Sequence, residues 1–96
     1  MTVSKRWFVT GQVQGVGFRA FVVELARNEG VAGYVRNLAD GRVETTAAGD
    51  DEAMTRFEQG LRAGPPLARV QALVAEDADT SDMPREFLVR PSKLSR

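Results

Sequence analysis

Three features of the sequence predict an α+β sandwich with the element order β-α-β-β-α-β. Apolar and polar residues alternate in several stretches, which is the period of a half-covered strand. Two intervening stretches change to a three-to-four-residue repeat, the period of an amphipathic helix. Glycine, proline or an Asp-Gly pair punctuates most of the boundaries. The order is that of the ferredoxin-like split β-α-β arrangement, an antiparallel sheet with two helices packed on one face. The 96 residues fit a single domain spanning 1–96, and 43% hydrophobic residues suffice for one small core.

From Lys5 to Val13, Trp7, Val9, Gly11 and Val13 share one face, and Phe8, Thr10 and Gln12 share the other. The first face is more apolar and should meet the core. Trp7 is expected there rather than stacked on a ligand. After a short glycine-containing loop, Phe18, Phe21, Val22, Leu25 and Ala26 form the stripe of a helix that runs to Asn28. Gly30 ends it. Val31–Leu38 reads as a strand, with β propensity from Tyr34 and Val35. Leu38-Ala39-Asp40-Gly41 is a turn, and Arg42–Ala48 returns with Val43, Thr45 and Ala47 on one face.

Asp50 or Asp51 should cap the second helix, whose stripe is Met54, Phe57 and Leu61. Gly60 costs that helix about 1 kcal/mol against Ala, and Gly64-Pro65-Pro66 stops it. Ala68–Glu76 is the next strand, with Val70, Ala72 and Val74 alternating with Arg69, Gln71, Leu73 and Ala75. Asp77–Glu86 is polar, acidic and interrupted by Pro84, as a surface loop should be. Phe87–Arg90 is a short terminal strand, and Ser92–Arg96 are expected to fray.

Composition removes whole classes of chemistry. Cysteine is absent, which excludes disulfides, thiolate nucleophiles and cysteine metal sites. Histidine is absent as well, which excludes the Ser-His-Asp arrangement, an imidazole base and most transition-metal sites. Lys plus Arg (13) balances Asp plus Glu (13), whereas nucleic-acid binders carry a basic surplus. No apolar run approaches the ~18 residues of a membrane span. Met1–Arg6 has no apolar signal-peptide region, so a cytoplasmic protein is the simplest reading.

Gln14, Gly15, Val16, Gly17, Phe18 and Arg19 lie between a strand and a helix. Such a loop presents unpaired backbone N–H groups, the helix dipole adds positive charge, and Arg19 adds a full unit. Gly15 and Gly17 allow close backbone approach to an oxyanion. This is the composition of an anion cradle, most simply for phosphate, although on physics alone an ordinary tight turn is the better reading. No Lys-Ser or Lys-Thr pair closes it as a Walker loop. Arg19 is electrostatically misplaced at a helix start unless an anion joins it. Asn37 precedes a turn, where asparagine is common for local reasons. The trio Asp50-Asp51-Glu52 is explained by capping rather than by a metal. Arg36 and Lys5 read as solvated strand-face charges, and Tyr34 as packing.

Two motifs carry a family resemblance. Val9-x-Gly11-x-Val13-Gln14-Gly15-Val16-x-Phe18-Arg19 and Gly33-Tyr34-Val35-Arg36-Asn37-x-x-x-Gly41-x-Val43, followed by Gly49, resemble the two signatures of the acylphosphatases. They stand in the family's order and at its separation. The resemblance extends from about Arg6 to Arg90 and includes Gly64–Val70. Ala20 stands where members more often carry a larger residue, and the Asp77–Arg85 loop is individual.

The resemblance implies hydrolysis of an acyl phosphate to a carboxylate and inorganic phosphate, without metal or cofactor. It implies that Arg19 and the N–H groups of Gln14–Phe18 hold the phosphoryl group and that Asn37 positions the attacking water. The small-molecule substrate follows from the resemblance, whereas a free-standing cytoplasmic enzyme, a monomer by default and without a nucleic-acid or membrane partner, is the expectation from the short flanks, the composition and the charge balance. Acylphosphatase-like domains also occur within larger proteins, so a non-catalytic module that binds phosphate or acyl phosphate is the alternative. An RNA-binding sheet of the same topology would need stacking aromatics on its exposed face, where the first strand offers only Phe8.

Overall fold

A computed structural model describes residues 2–79 and 83–93. The elements are β1 (Thr2–Gln12), α1 (Phe18–Glu29), β2 (Ala32–Asn37), β3 (Val43–Asp50), α2 (Asp51–Ala63), β4 (Arg69–Asp77) and β5 (Phe87–Val89). The sheet order is β4-β1-β3-β2-β5. The expected elements are all present, with ends moved by at most three residues. Residues 80–82 of the expected surface loop and 94–96 of the expected frayed end lie outside the described residues.

The expected purely antiparallel sheet is corrected in one place: β5 runs parallel to β2, with Gly33, Tyr34 and Val35 opposite Phe87, Leu88 and Val89. The path of the chain requires it. β4 leaves the sheet beside Ser4, whose carbonyl accepts from Ala78 N–H at 3.3 Å. Ser4 lies opposite Ala48, and Ala48 lies opposite Ala32, the first residue of β2. A connection crossing at that end delivers β5 running in the same direction as β2. The chain continues alongside β2 past β5: Lys93 donates its N–H to Asn37 O at 2.9 Å, so Ser92–Lys93 are placed rather than frayed.

Both helices cover one face, α1 over β2 and β5, α2 over β1, β3 and β4. Trp7, Val9, Val35, Val43 and Ala47 are fully buried beneath them, with Thr45 in the same row as Trp7. Phe57 of α2 sits at the centre, its ring centroid 5.3 Å from Trp7 and 5.8 Å from Phe87. Burial of each of the valine and phenylalanine side chains among them stabilises by about 1.5–3 kcal/mol. The indole N–H of Trp7 is not left unpaired: it donates to Glu58 Oε1 at 2.8 Å. Asp50 is the cap of α2, accepting from Ala53 N–H at 2.9 Å. Gly60, unfavourable for helix formation, has a packing reason: a Cβ there would lie 2.5 Å from Leu25 Cδ2 on α1.

The alternation expected along β4 fails because of a bulge. Thr10 faces Ala72 but Gly11 faces Val70, which leaves Gln71 as an extra residue. One added residue reverses the faces downstream. Leu73 and Ala75 therefore stand opposite Val9 and Trp7, and Val70 and Leu73 pack against the core. Val74, expected to share the face of Val70, is 57% exposed beside Phe8.

The face of the sheet away from the helices is not simply solvated. Glu44 is only 4% exposed there. Its carboxylate meets Arg6 Nε at 3.2 Å and Arg36 Nε at 2.9 Å, and accepts from the Tyr34 hydroxyl at 3.2 Å. Arg36 and Arg90 stack on the Tyr34 ring, at 5.4 and 4.1 Å from its centroid. Arg36 is thus paired rather than free, and Tyr34 is a hydrogen-bonding hub as well as packing.

Candidate active site

β1 and β2 run the same way because each is antiparallel to β3, which lies between them. Val43, where β3 begins, faces Val9 on one side and Asn37 on the other. The loop after β1, the start of α1 and the end of β2 consequently meet at one end of the sheet. All seven candidate residues belong to these three segments.

Gly15 and Gly17 have φ of 74° and 78°. A Cβ at either would meet no atom within 4 Å, so conformation rather than space requires glycine. The turn between them packs Val16 partly against the core. Phe18, 2% exposed, anchors the first turn of α1 in the core and has only its backbone to offer the site. Gly17 stands at the N-cap with no side-chain capping bond, and no acidic residue lies in the first turn. Among the described residues nothing accepts from the backbone N–H groups of Gly15 through Ala20. Free donors, the positive end of the dipole and the absence of a carboxylate leave this loop an unneutralised positive pole.

Arg19, the second residue of α1, is half-buried and has no ion pair or hydrogen bond among the described residues. It adds a guanidinium to the same pole, while Ala20 beside it is exposed. Asn37 ends β2 two residues after the fully buried Val35, so it shares the helix-side face. Its side-chain Oδ1 is buried without a hydrogen-bond partner, the one such side-chain atom among the described residues. Buried carbonyls are normally paired, and one left open costs about 1–3 kcal/mol.

Gln14 occupies a place that the sequence did not disclose. Its Nε2 donates to Leu38 O and to Arg42 O, each at 2.9 Å. These carbonyls belong to the turn that follows Asn37, so the side chain ties the loop to the β2–β3 hairpin. Nothing in the sequence pairs a glutamine with carbonyls that lie 24 and 28 residues further along.

Among the described residues no three acidic side chains gather where they could share a cation, and no helix is long and apolar enough to cross a membrane. An open groove of about 250 Å³, lined by residues including Val3, Lys5, Asp51 and Met54, lies where β3 passes into α2. That is the other end of the sheet, and the groove shares no residue with the loop.

Known proteins of one family match this chain in sequence and in fold. A family model described as acylphosphatase matches residues 5–89. An acylphosphatase of Deinococcus radiodurans is 49% identical over 79 residues, which span 82% of this chain and 90% of that protein. One of Halorhodospira halophila is 48% identical over 84 residues, 88% of this chain and 90% of that protein. The crystal structure of acylphosphatase from Bacillus subtilis matches with a TM-score of 0.86 at 34% identity, covering 94% of this chain and 99% of that one. With a family match over nearly the whole chain and a solved relative of the same fold, the chain belongs to the acylphosphatase family.

Proposed function

We propose that the protein hydrolyses the carboxyl–phosphate bond of acyl phosphates, with Arg19 and the N–H groups of Gln14–Phe18 holding the phosphoryl group and Asn37 orienting the attacking water. The observation that carries this reading is the buried Asn37 Oδ1, which has no partner among the described residues, at the same end of the sheet as a guanidinium and a row of backbone N–H groups that likewise have none among them. A carbonyl acceptor held open beside an anion cradle suits a water molecule that needs aiming.

The chemistry asks little more. The water oxygen forms a bond to phosphorus as the bond from phosphorus to the acyl oxygen breaks, and the electron pair leaves on the carboxylate. The conjugate acid of that carboxylate has a pKa of about 4 to 5, so no general acid is required. Most analyses of phosphoryl transfer describe a loose transition state with charge spread over the equatorial oxygens, which a planar guanidinium and fixed N–H dipoles match. Asn37 cannot accept a proton; the water's proton passes to a phosphate oxygen. This scheme uses neither metal nor cofactor, which fits a chain without histidine or cysteine. The single domain acts as a cytoplasmic monomer on a small molecule, and its balanced charge gives a nucleic acid no electrostatic hold.

The test is hydrolysis of benzoyl phosphate in the presence of a chelator, by wild type and Asn37→Ala. Turnover that survives the chelator and is lost in the variant supports the assignment. A folded wild type that binds phosphate without turnover would instead be a binding module.

A further inference from the structure

We infer that the side chain of Gln14 is a positioning group rather than a phosphate ligand: it sets the hairpin that carries Asn37 against the anion-binding loop, to which Gln14 lends only its backbone N–H. The inference rests on the functional reading above. An amide nitrogen has two hydrogens, and Gln14 gives one to Leu38 O and one to Arg42 O. No donor is left for a phosphate oxygen. The remaining Oε1 is an acceptor, which an anion repels. The side chain therefore faces away from the ligand's chemistry although it springs from the ligand's loop.

Its two acceptors are well chosen for holding Asn37. Arg42 O already accepts from Leu38 N–H at 2.9 Å, and Leu38 O from Gly41 N–H at 3.2 Å, so the hairpin closes on itself without Gln14. What Gln14 adds is the relation between hairpin and loop. Asn37 directly precedes Leu38. The phosphoryl group is held by one segment and the water by the other, and Gln14 is the side chain that bridges them by hydrogen bonds. In-line attack requires alignment of the two, and misplacement by about 1 Å costs on the order of 100-fold in rate.

The test combines two readouts on Gln14→Met, which keeps length and removes both donors, and Gln14→Ala, should the first fold poorly. kcat for benzoyl phosphate should fall by about 10- to 100-fold, while the inhibition constant for inorganic phosphate changes by less than about threefold, since Arg19 and the loop N–H groups remain. In an Asn37→Ala background the same change should lower the residual rate by less than about threefold, because the group that Gln14 positions is gone. Phosphate inhibition weakened in proportion to kcat would make the Gln14 side chain part of the anion site and overturn the inference. Equal loss with and without Asn37 would also overturn it. Wild-type turnover by Asn37→Ala itself would instead refute the functional reading, and the inference would fall with it.

Discussion

Asn37→Ala should separate the stability of the fold from its chemistry. The side chain donates and accepts no hydrogen bond among the described residues, and its Oδ1 is buried unpaired. Truncation therefore removes no protein–protein hydrogen bond. It relieves a buried carbonyl whose isolation costs about 1–3 kcal/mol when dry, or up to about 2 kcal/mol when one immobilised water satisfies it. Against this stands the packing of a few half-buried atoms, of the order of 1 kcal/mol. The net change in unfolding free energy should lie between about 1 kcal/mol of loss and about 2 kcal/mol of gain, while turnover falls by about 10²- to 10³-fold. Thr45→Ala is the control: its hydroxyl is buried and donates to Tyr34 O at 2.8 Å, and its loss should cost about 1–2 kcal/mol. Urea unfolding followed by tryptophan fluorescence reports both, since Trp7 is fully buried. A loss above about 2 kcal/mol in Asn37→Ala, with unchanged m-value, would mean that Asn37 is a structural member of the hairpin and refute the reasoning.

Arg19→Ala should weaken competitive inhibition by phosphate by about 10² to 10⁴-fold, the value of two charge-assisted hydrogen bonds, and abolish turnover with it. Its fold should be unchanged or up to about 1 kcal/mol more stable, because an unpaired cation leaves the positive end of α1; urea unfolding checks this. Glu44→Gln removes the shared partner of Arg6 and Arg36, whose side chains are 31% and 21% exposed against 5% for Glu44. A fully buried pair would lose about 3–5 kcal/mol, but these guanidinium groups reach solvent, so about 1–2.5 kcal/mol is expected, with kcat unaffected; thermal and urea unfolding beside a benzoyl phosphate assay measure both. The Arg42 backbone N–H, and then its guanidinium, hold the Asp40 carboxylate below its usual pKa. A lowered folded value stabilises above the ordinary aspartate range and loses that contribution as pH falls through it. The stability difference between wild type and Asp40→Asn should thus be constant from about pH 5 to 7 and shrink below about pH 4, read as urea midpoints across that range.

Much of this was legible in the sequence because it is local. Helix stripes such as Phe18–Val22–Ala26 and the alternation of Trp7 and Val9 write their burial into their spacing, and both were buried where expected. The glycines at 15 and 17 marked the loop for the same reason. What was hidden depends on the neighbouring strand. The bulge at Gln71 has no signature in its own segment, since it exists only relative to Thr10 and Gly11. The direction of β5 follows from where β4 leaves the sheet, and three residues cannot encode that. Arg36 looked solvated because its partner Glu44 comes from another strand and has no business being buried until Arg6 and Tyr34 join it. Arg19 and Asn37 were singled out through motifs; the open Oδ1 and the bridge from Gln14 required coordinates.

The sheet order has a consequence for synthesis. Every group assigned here to phosphate, water or their alignment lies between Gln14 and Arg42. Yet β1, which carries the loop, is flanked by β3 on one side and by β4, Arg69–Asp77, on the other. As the chain leaves the ribosome, the complete set of reacting groups emerges well before the strand that closes the edge beside them. Until Asp77 clears the exit tunnel, β1 offers an open row of N–H and C=O groups to any neighbouring nascent chain. A truncated product ending before Arg69 would contain every one of those residues and leave that edge of β1 open to self-association.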